Sequence, residues 1–192
     1  YQGDAAGALE ILRSGAGDEL RCRGLPRPDA MEAELRDVIV GGYKECLIVD
    51  DPLERLRLFE AFRVLCPVRE GPYGVRIMNR MVEHILADEG LLEPDGQFYS
   101  GRPVLVTQND YTLGLFNGDI GIVVREEDGL RACFPTGDGS VRKISPLRLP
   151  AHETAWAMTV HKSQGSEFAR VLFILPESDS PVDSYSPTSI TF

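Results

Sequence analysis

The sequence predicts an α/β fold in which a parallel sheet carries an inserted small antiparallel β-barrel. Apolar residues recur at helical spacing in two long segments, residues 30–47 and 75–86. A buried-strand pattern over residues 155–160 runs directly into a polar loop. Between residues 103 and 144, short alternating stretches are separated by turn signals. The predicted division is residues 1–100 and 151–176 for the main domain, 101–150 for the insertion, and 177–192 for a disordered or truncated tail.

The first 50 residues predict a short helix, a connection and a long amphipathic helix. A helix over residues 4–12 ends at Ser14 and Gly15, and a short strand over residues 19–23 follows. From Ala30 onward, apolar side chains recur every three or four positions, at Met31, Leu35, Val38, Ile39, Tyr43, Cys46 and Leu47. This spacing places them on one face, so a long helix with a buried stripe is expected.

The segment CLIVDD at residues 46–51 has two interpretations. Four apolar residues followed by two acids imitate a Walker B strand, whose acid would hold the metal of a bound nucleotide. A Walker B strand needs a phosphate-binding loop before it, and the chain contains no sequence of the form GxxxxGKS or GxxxxGKT. Asp51 and Pro52 favour the other interpretation, in which they cap and begin a helix that runs to about Phe62.

A second strand and helix follow, joined by a glycine-rich turn. Residues 63–68 are predicted to form a buried strand, after which Arg69, Gly71 and Gly74 turn the chain into a helix. The apolar face of this helix is formed by Val75, Met78, Met81, Val82, Ile85 and Leu86. Such a turn can leave backbone N–H groups free at the helix start, where a phosphate could bind. An ordinary strand-to-helix turn explains the same pattern.

The inserted barrel is predicted from four short strands, at residues 103–107, 119–125, 130–134 and 140–144. An insertion of about 50 residues can bury little surface alone, so it should lean on the larger domain. Its first loop, residues 107–117, carries amides, an acid and aromatics, namely Gln108, Asn109, Asp110, Tyr111, Thr112 and Phe116. These side chains suit stacking against single-stranded nucleic acid, and they suit plain turn chemistry equally well.

The polar loop after residues 155–160 is the segment most able to bind a ligand. Nearly all of its side chains can form hydrogen bonds: His161, Lys162, Ser163, Gln164, Gly165, Ser166 and Glu167. Parallel strands present such loops at their carboxyl ends, where α/β sheets bind ligands. Gly165 permits a positive φ or a close backbone approach. A solvated turn with an N-capping serine is the alternative interpretation.

Composition limits the classes of partner. With 192 residues and 43% hydrophobic content the chain can build a core, and no segment approaches the roughly 18 apolar residues of a membrane span. The net charge of −10 argues against a simple nucleic-acid binder. Residues 101–170, however, hold eight basic and eight acidic side chains. Scattered cysteines and histidines indicate neither disulfides nor a metal site. We expect a cytoplasmic protein without membrane contact, in which any nucleic-acid binding is weak and salt-sensitive.

Three strings carry a family resemblance. TVHKSQGSEF at residues 159–168 resembles motif V of superfamily 1 DNA helicases. With NDYTLGLFNGDIGIVV at 109–124 and REGPYGV at 69–75, the chain is similar to the RecD-type branch, the family of the exodeoxyribonuclease V alpha subunits. The Pif1, Dda and conjugative-relaxase groups share the HKSQG loop. The resemblance implies a second RecA-like motor domain without a P-loop, carrying an SH3-like barrel (domain 2B) that holds single-stranded DNA against the motor.

The resemblance also implies roles for individual residues. Gln164, Gly165 and Glu167 would bind nucleotide, with Glu167 towards the ribose and Gln164 linking nucleotide to DNA. The single-stranded DNA contacts predicted from the resemblance and from the chemistry of loop 107–117 are Arg69, Asn79, Thr107, Asn109, Phe116, Asn117, Thr159, His161, Lys162 and Ser163. No catalytic or metal-binding residue is predicted.

The implied cofactors are ATP and Mg²⁺, in the full-length protein only. Motifs I to III and motif VI have no counterpart in this sequence, so ATP hydrolysis by this polypeptide alone is not expected. Implied partners are single-stranded DNA, a missing first RecA-like domain, and the beta and gamma subunits of exonuclease V. The implied activity is 5′ to 3′ unwinding in double-strand break repair and recombination, and the Ser- and Pro-rich end indicates an excised or prematurely ended piece. The alternative is a non-catalytic DNA- or protein-binding module derived from a helicase.

Overall fold

The computed structural model describes residues 21–175 and 188–191, in which two five-stranded sheets are packed with three α-helices. The helices are α1 Met31–Ile48, α2 Pro52–Glu60 and α3 Val75–Asp88. The strands are β1 Arg21–Gly24, β2 Phe62–Cys66, β3 Pro103–Val106, β4 Ile120–Glu126, β5 Gly129–Pro135, β6 Val141–Ile144, β7 His152–Thr154, β8 Ala157–Thr159, β9 Arg170–Leu175 and β10 Thr188–Thr191. The helix predicted at residues 4–12 lies outside the described residues. None of the described helices is long and apolar enough to cross a membrane.

The first sheet has the order β1-β10-β9-β2-β8 and is parallel in its β9-β2-β8 part. In its centre, Val64 of β2 lies between Ala157 of β8 and Leu172 of β9, and all three are buried. This confirms the predicted mixed α/β fold with a parallel sheet. Antiparallel β10 and β1 extend the sheet. The predicted disordered or truncated tail, residues 177–192, lies outside the described residues except for the strand at 188–191, whose threonines and isoleucine favour extended backbone.

The first two helices form as the sequence predicted. The buried side chains of α1 are Met31, Leu35, Ile39, Tyr43 and Cys46. Residues 46–48 end this helix, so the Walker B interpretation is wrong and the capping interpretation is confirmed. The Asp51 carboxylate accepts a hydrogen bond from the Glu54 N–H at 2.8 Å, with Pro52 in the first turn of α2. Helix α2 ends at Glu60 because Phe62 already begins β2.

An aromatic cluster fixes the entry to β8. The ring centroid of Tyr43 lies 4.9 Å from that of Phe62 and 5.0 Å from that of Trp156. The Tyr43 hydroxyl also donates a hydrogen bond to the Trp156 carbonyl. Strand β8 is three residues long, shorter than the predicted 155–160, because Ala155 and Trp156 make the bend between the two sheets and Val160 begins a 3₁₀ turn.

The second sheet has the order β6-β5-β4-β3-β7 and is antiparallel throughout. Strands β3 to β6 match the four predicted strands to within one residue at each end. Strand β7 pairs with β3, so this sheet extends past the predicted boundary at residue 150. Strands β6 and β7 lie at the two edges of the strand order, and closure into an SH3-like barrel stays a prediction.

Two apolar clusters join the second sheet to the rest of the chain. Leu56 of α2, 1% exposed, packs with Ile122, Val124 and Cys133 of the second sheet. Met158 of β8 packs with Ala155 and Leu105 on the other side. These contacts confirm that the insertion leans on the larger domain, since part of its apolar surface is covered by α2 and β8.

Candidate nucleic-acid and nucleotide interface

Two neighbouring parallel strands end at the same edge of the first sheet. Cys66 at the end of β2 lies beside Thr159 at the end of β8. The carboxyl ends of parallel strands are where α/β sheets present ligand-binding loops. The turn that starts near Arg69 and the loop 160–169 therefore leave the sheet side by side.

Loop 160–169 begins with a 3₁₀ turn, Val160–Ser163, held by its own polar groups. The Thr159 hydroxyl accepts a hydrogen bond from the Lys162 N–H at 3.2 Å. The Ser163 hydroxyl donates to the Val160 carbonyl at 2.8 Å. Thr159 and Ser163 thus shape the turn, and the DNA contacts predicted for them stay predictions.

Beyond this turn the loop is open to solvent. Gln164 and Glu167, like His161 within the turn, are exposed, and the three side chains form no hydrogen bond or ion pair with other residues that the structure describes. Gly165 adopts φ +84°, with no neighbour within 4 Å of the position a Cβ would take. The sequence predicted either a positive φ or a close backbone approach at Gly165, and the structure has the positive φ. The free polar side chains are available to a ligand.

One carboxylate joins two of the predicted DNA contacts. Glu153 of β7 accepts a hydrogen bond from Arg69 Nη2 at 2.7 Å through one oxygen. Its other oxygen accepts from Lys162 Nζ. Arg69 follows β2 and Lys162 follows β8, so Glu153 from the second sheet holds together two cations that belong to neighbouring loops of the first.

Two of the backbone donors at the start of α3 are not free. The Val75 N–H donates to the Val68 carbonyl at 3.1 Å, and the Arg76 N–H donates to the Arg69 carbonyl at 3.3 Å. The predicted phosphate cradle at this helix start is therefore wrong for these two groups, because the folded-back turn already satisfies them. Gly74 is required here, since a Cβ would lie 2.5 Å from the Glu70 carbonyl oxygen.

Asn79 of α3 supports β8 directly. Its side-chain oxygen accepts from the Ala157 N–H at 3.0 Å, and its Nδ2 donates to the carbonyls of Ala157 at 3.0 Å and Val75 at 2.9 Å. The Asn79 amide thus forms the two hydrogen bonds with Ala157 that a neighbouring strand would form, at the edge of the sheet where β8 lies. Asn79 is 7% exposed and uses both donor hydrogens to hold β8 and the first turn of α3, and the DNA contact predicted for it stays a prediction.

A cleft of about 330 Å³ opens beside this edge. It is lined by side chains of α3, the preceding turn and β7: Arg69, Glu70, Val75, Arg76, Asn79, Arg80, Glu83, Glu153 and Thr154. The three arginines and three glutamates among them balance in formal charge. Arg76 pairs with Glu70 at 3.3 Å, and Glu83 accepts a hydrogen bond from the Tyr99 hydroxyl. All three glutamates of the cleft therefore already have partners within the protein.

The loop between β3 and β4 is held by hydrogen bonds along its length. Asp110 and Leu115 exchange both backbone hydrogen bonds, and the Asp110 carboxylate also accepts from the Thr112 and Leu113 N–H groups. Leu115 is 1% exposed and packs into the core of the second sheet. Arg142 of β6 donates to the carbonyls of Leu113 and Gly114, so this guanidinium braces the loop.

This fixed loop exposes two aromatic rings. Tyr111 is 80% exposed and Phe116 is 48% exposed, with ring centroids 6.0 Å apart in an edge-to-face arrangement. The predicted contacts beside them serve the loop itself: the Asn109 side chain accepts from the Asn117 N–H at 2.8 Å, and the Thr107 N–H donates to the Ala151 carbonyl. Exposed rings on a braced loop suit base stacking.

Two residues of this surface were outside the predicted site. Tyr111 was visible as an aromatic on a polar loop, but only the structure shows that it pairs with Phe116. Glu153 carried no local signal, because its partner Arg69 lies 84 positions earlier in the chain. Contacts of this range come from the tertiary fold alone.

The curated relatives of the chain include a DNA helicase, the class that the sequence strings resemble. Within that class the chain is homologous to RecD-type proteins, which confirms the predicted family resemblance. It is 40% identical over 181 residues to the RecBCD enzyme subunit RecD of Mycolicibacterium smegmatis and 38% identical over 181 residues to that of Mycobacterium tuberculosis. Each match covers 93% of this chain and 31% of the relative.

Other comparisons give weaker similarity. The chain is 34% identical over 124 residues to the ATP-dependent RecD2 DNA helicase of Deinococcus radiodurans, covering 64% of the chain and 17% of that protein. A solved structure of Bacteroides Pif1 bound to ssDNA aligns with a TM-score of 0.34 and 21% identity, over 58% of this chain and 34% of that one. No protein-family model matches the chain.

Proposed function

We propose that the chain is the second RecA-like motor domain of an ATP-dependent DNA helicase of the RecD type, and that it contacts single-stranded DNA and one side of an ATP cleft. The observation that carries the proposal is the exposed loop 160–169 at the carboxyl end of β8, beside the Arg69 turn after β2. The homology to RecD subunits supports it over 93% of the chain. The second sheet takes the role of the SH3-like domain 2B.

Two surfaces divide the work in this proposal. His161 and Lys162, with Arg69, contact the strand at the sheet edge, while Tyr111 and Phe116 offer rings for base stacking. Further contacts to the DNA strand come from polar groups that still have unused oxygen lone pairs or N–H groups after their hydrogen bonds within the loops. These residues are Thr107, Asn109, Asn117, Thr159 and Ser163.

On the nucleotide side, the exposed Gln164 amide and Glu167 carboxylate fit the sugar and base of ATP, and Gly165 lets the loop turn between them. ATP supplies the phosphoryl group that is transferred to water, and no residue of this chain is assigned to Mg²⁺. Gln164 and Glu167 bind the sugar side of the nucleotide. Occupation of the cleft by ATP then changes the positions of His161 and Lys162, which lie in the same loop. Phosphate and metal contacts are assigned to motifs I to III and motif VI, which have no counterpart in this sequence.

The wider setting is also a proposal. The RecBCD names of the relatives support exonuclease V-type repair of double-strand breaks, 5′ to 3′ unwinding, and the beta and gamma subunits as partners. A cytoplasmic location follows from that setting. These activities belong to the whole helicase, of which this chain matches 31% in the mycobacterial relatives.

A chimera tests the proposal. This chain replaces the matching 31% of the Mycolicibacterium smegmatis RecD subunit, and ATP hydrolysis is measured with and without single-stranded DNA. We expect DNA to stimulate hydrolysis, and His161→Ala or Gln164→Ala to reduce the stimulated rate about tenfold or more, because each removes a contact between DNA and the cleft. Leu147→Ala, at an 87% exposed site away from the loop, should leave the rate unchanged. A folded chimera without stimulated hydrolysis would favour a non-catalytic binding module.

A further inference from the structure

The Glu153 bridge, defined as the contacts of Glu153 with Arg69 and Lys162, places two cations on one carboxylate. The side chain of Lys162 is 25% exposed and that of Glu153 is 29% exposed, whereas that of Arg69 is 61% exposed. Partly buried ion pairs are less screened by salt than exposed ones. Of the two contacts, the Lys162–Glu153 pair is therefore less screened by salt than the Arg69–Glu153 pair.

The bridge has the chemistry of a bound phosphate. A carboxylate with both oxygens engaged by Arg and Lys offers the same kind of charged acceptor as two oxygens of a phosphodiester. Two cations and one acid leave a single net positive charge at the junction of the two loops. A strand phosphate that binds the same donor groups of Arg69 and Lys162 displaces Glu153 from at least one cation.

We propose that Glu153 regulates the DNA site as a built-in phosphate substitute, which holds Arg69 and Lys162 in place until a strand phosphate displaces it. The proposal rests on the proposed function, in which this edge binds single-stranded DNA. Displacement costs part of the binding free energy of each phosphate. A single small anion therefore gains little at the site, whereas a strand that also stacks on Tyr111 and Phe116 can offset the cost.

The test uses Glu153→Gln, which keeps the size of the side chain and one acceptor oxygen but removes its charge. Glu70→Gln is the matched control, because Glu70 lines the same cleft and, among the residues that the structure describes, pairs only with the exposed Arg76, at 3.3 Å. Binding of the 192-residue chain to a fluorescein-labelled oligodeoxythymidylate of about 12 nucleotides is measured by anisotropy over a range of salt concentrations.

We expect Glu153→Gln to tighten binding by up to about fivefold at low salt, the range of a partly exposed ion pair. The slope of log affinity against log salt should steepen by about 0.7, the value for one more phosphate contact on a single strand. Glu70→Gln should change affinity less than about twofold, since exposed pairs contribute little. Glu153→Asp, which keeps the charge, should stay within about twofold of the wild-type chain.

Three results would count against this role. If the wild-type chain binds but Glu153→Gln binds equally or more weakly, the regulatory role is wrong and the proposed function survives. If Glu153→Asp tightens binding as much as Glu153→Gln, the removed charge is not the cause. If the folded wild-type chain does not bind the oligonucleotide at all, both the proposed function and the inference fail. Should Glu153→Gln unfold, the same comparison in a Lys162→Met background must still show tighter binding through Arg69.

Discussion

The two loops proposed to meet DNA are built in opposite ways. The loop between β3 and β4 is fixed by the Asp110–Leu115 backbone pair, the Asp110 carboxylate and the Arg142 brace. Loop 160–169 has one capped turn, after which the side chains of Gln164 and Glu167 have no partner among the described residues. Preorganised groups lose little entropy on binding, whereas free ones can adapt. We therefore expect the loop between β3 and β4 to act as a rigid platform for base stacking, and loop 160–169 to adapt its side chains to the ligand.

The largest expected effect comes from removing the anchor of the rigid loop. Leu115→Ala should lower the free energy of unfolding by about 2–5 kcal/mol, because it empties a buried position in the second sheet. Urea unfolding monitored by circular dichroism measures the loss. Leu147→Ala, 87% exposed, should change stability by less than about 0.5 kcal/mol. Equal effects of the two substitutions would show that the loop is not anchored by its buried leucine.

The next effect is on binding without a change in stability. Tyr111→Ala should weaken oligodeoxythymidylate binding by about 1–3 kcal/mol, the value of one base stacked on an aromatic ring. The free energy of unfolding should stay the same, since the ring is 80% exposed. Tyr111→Phe keeps the ring and should bind like the wild-type chain, as measured by anisotropy. A loss as large with phenylalanine would assign the effect to the hydroxyl and contradict stacking.

The smallest effect tests the open loop. Gly165→Ala should cost about 1 kcal/mol of stability, because alanine is strained at φ +84° even though the space is empty. Gly137→Ala is the matched control, with an equally open site and no positive φ, and should cost less than about 0.5 kcal/mol. Thermal unfolding of both variants provides the measurement. Should Gly165→Ala cost no more than its control, loop 160–169 relaxes freely and carries no fixed turn.

Local signals predicted most of the elements. The stripe from Met31 to Cys46 predicted α1, the Asp51–Pro52 pair predicted the start of α2, and turn signals predicted strands β3 to β6. Each of these features depends on residues within a few positions of one another. The bend at Ala155 and Trp156 depends instead on Tyr43, more than 100 positions earlier, so no local pattern could show how short β8 would be.

The site was predicted less completely, for the same reason. The sequence indicated Gly165 and the exposed polar loop, because glycine and clustered polar residues are local signals of a turn. The role of Asn79 depends on a contact with Ala157, 78 positions away, and the bridge of Glu153 depends on Arg69. A polar side chain in a helix or strand reveals its chemistry in sequence but not its partner.

A buried charge, the guanidinium of Arg63, lies next to the base of loop 160–169. Arg63 of β2 is fully buried, its guanidinium stacks 4.0 Å from the ring centroid of Phe59 and 5.2 Å from that of Phe168, and Nη1 donates to the Ala155 carbonyl at 2.9 Å. Burial lowers the pKa of this guanidinium from its ordinary value. Its Nε and Nη2 have no partner among the described residues, and such unmet donors cost free energy.

Arg63 contacts both ends of segment 155–168, the Ala155 carbonyl through Nη1 and the Phe168 ring through its guanidinium. One side chain therefore joins the two ends of the segment that contains the loop. A shift of Phe168 away from β2 would remove packing from the Arg63 guanidinium, whose Nε and Nη2 have no partner among the described residues. The position of Phe168, at the end of loop 160–169, is therefore coupled to a charge buried in the core.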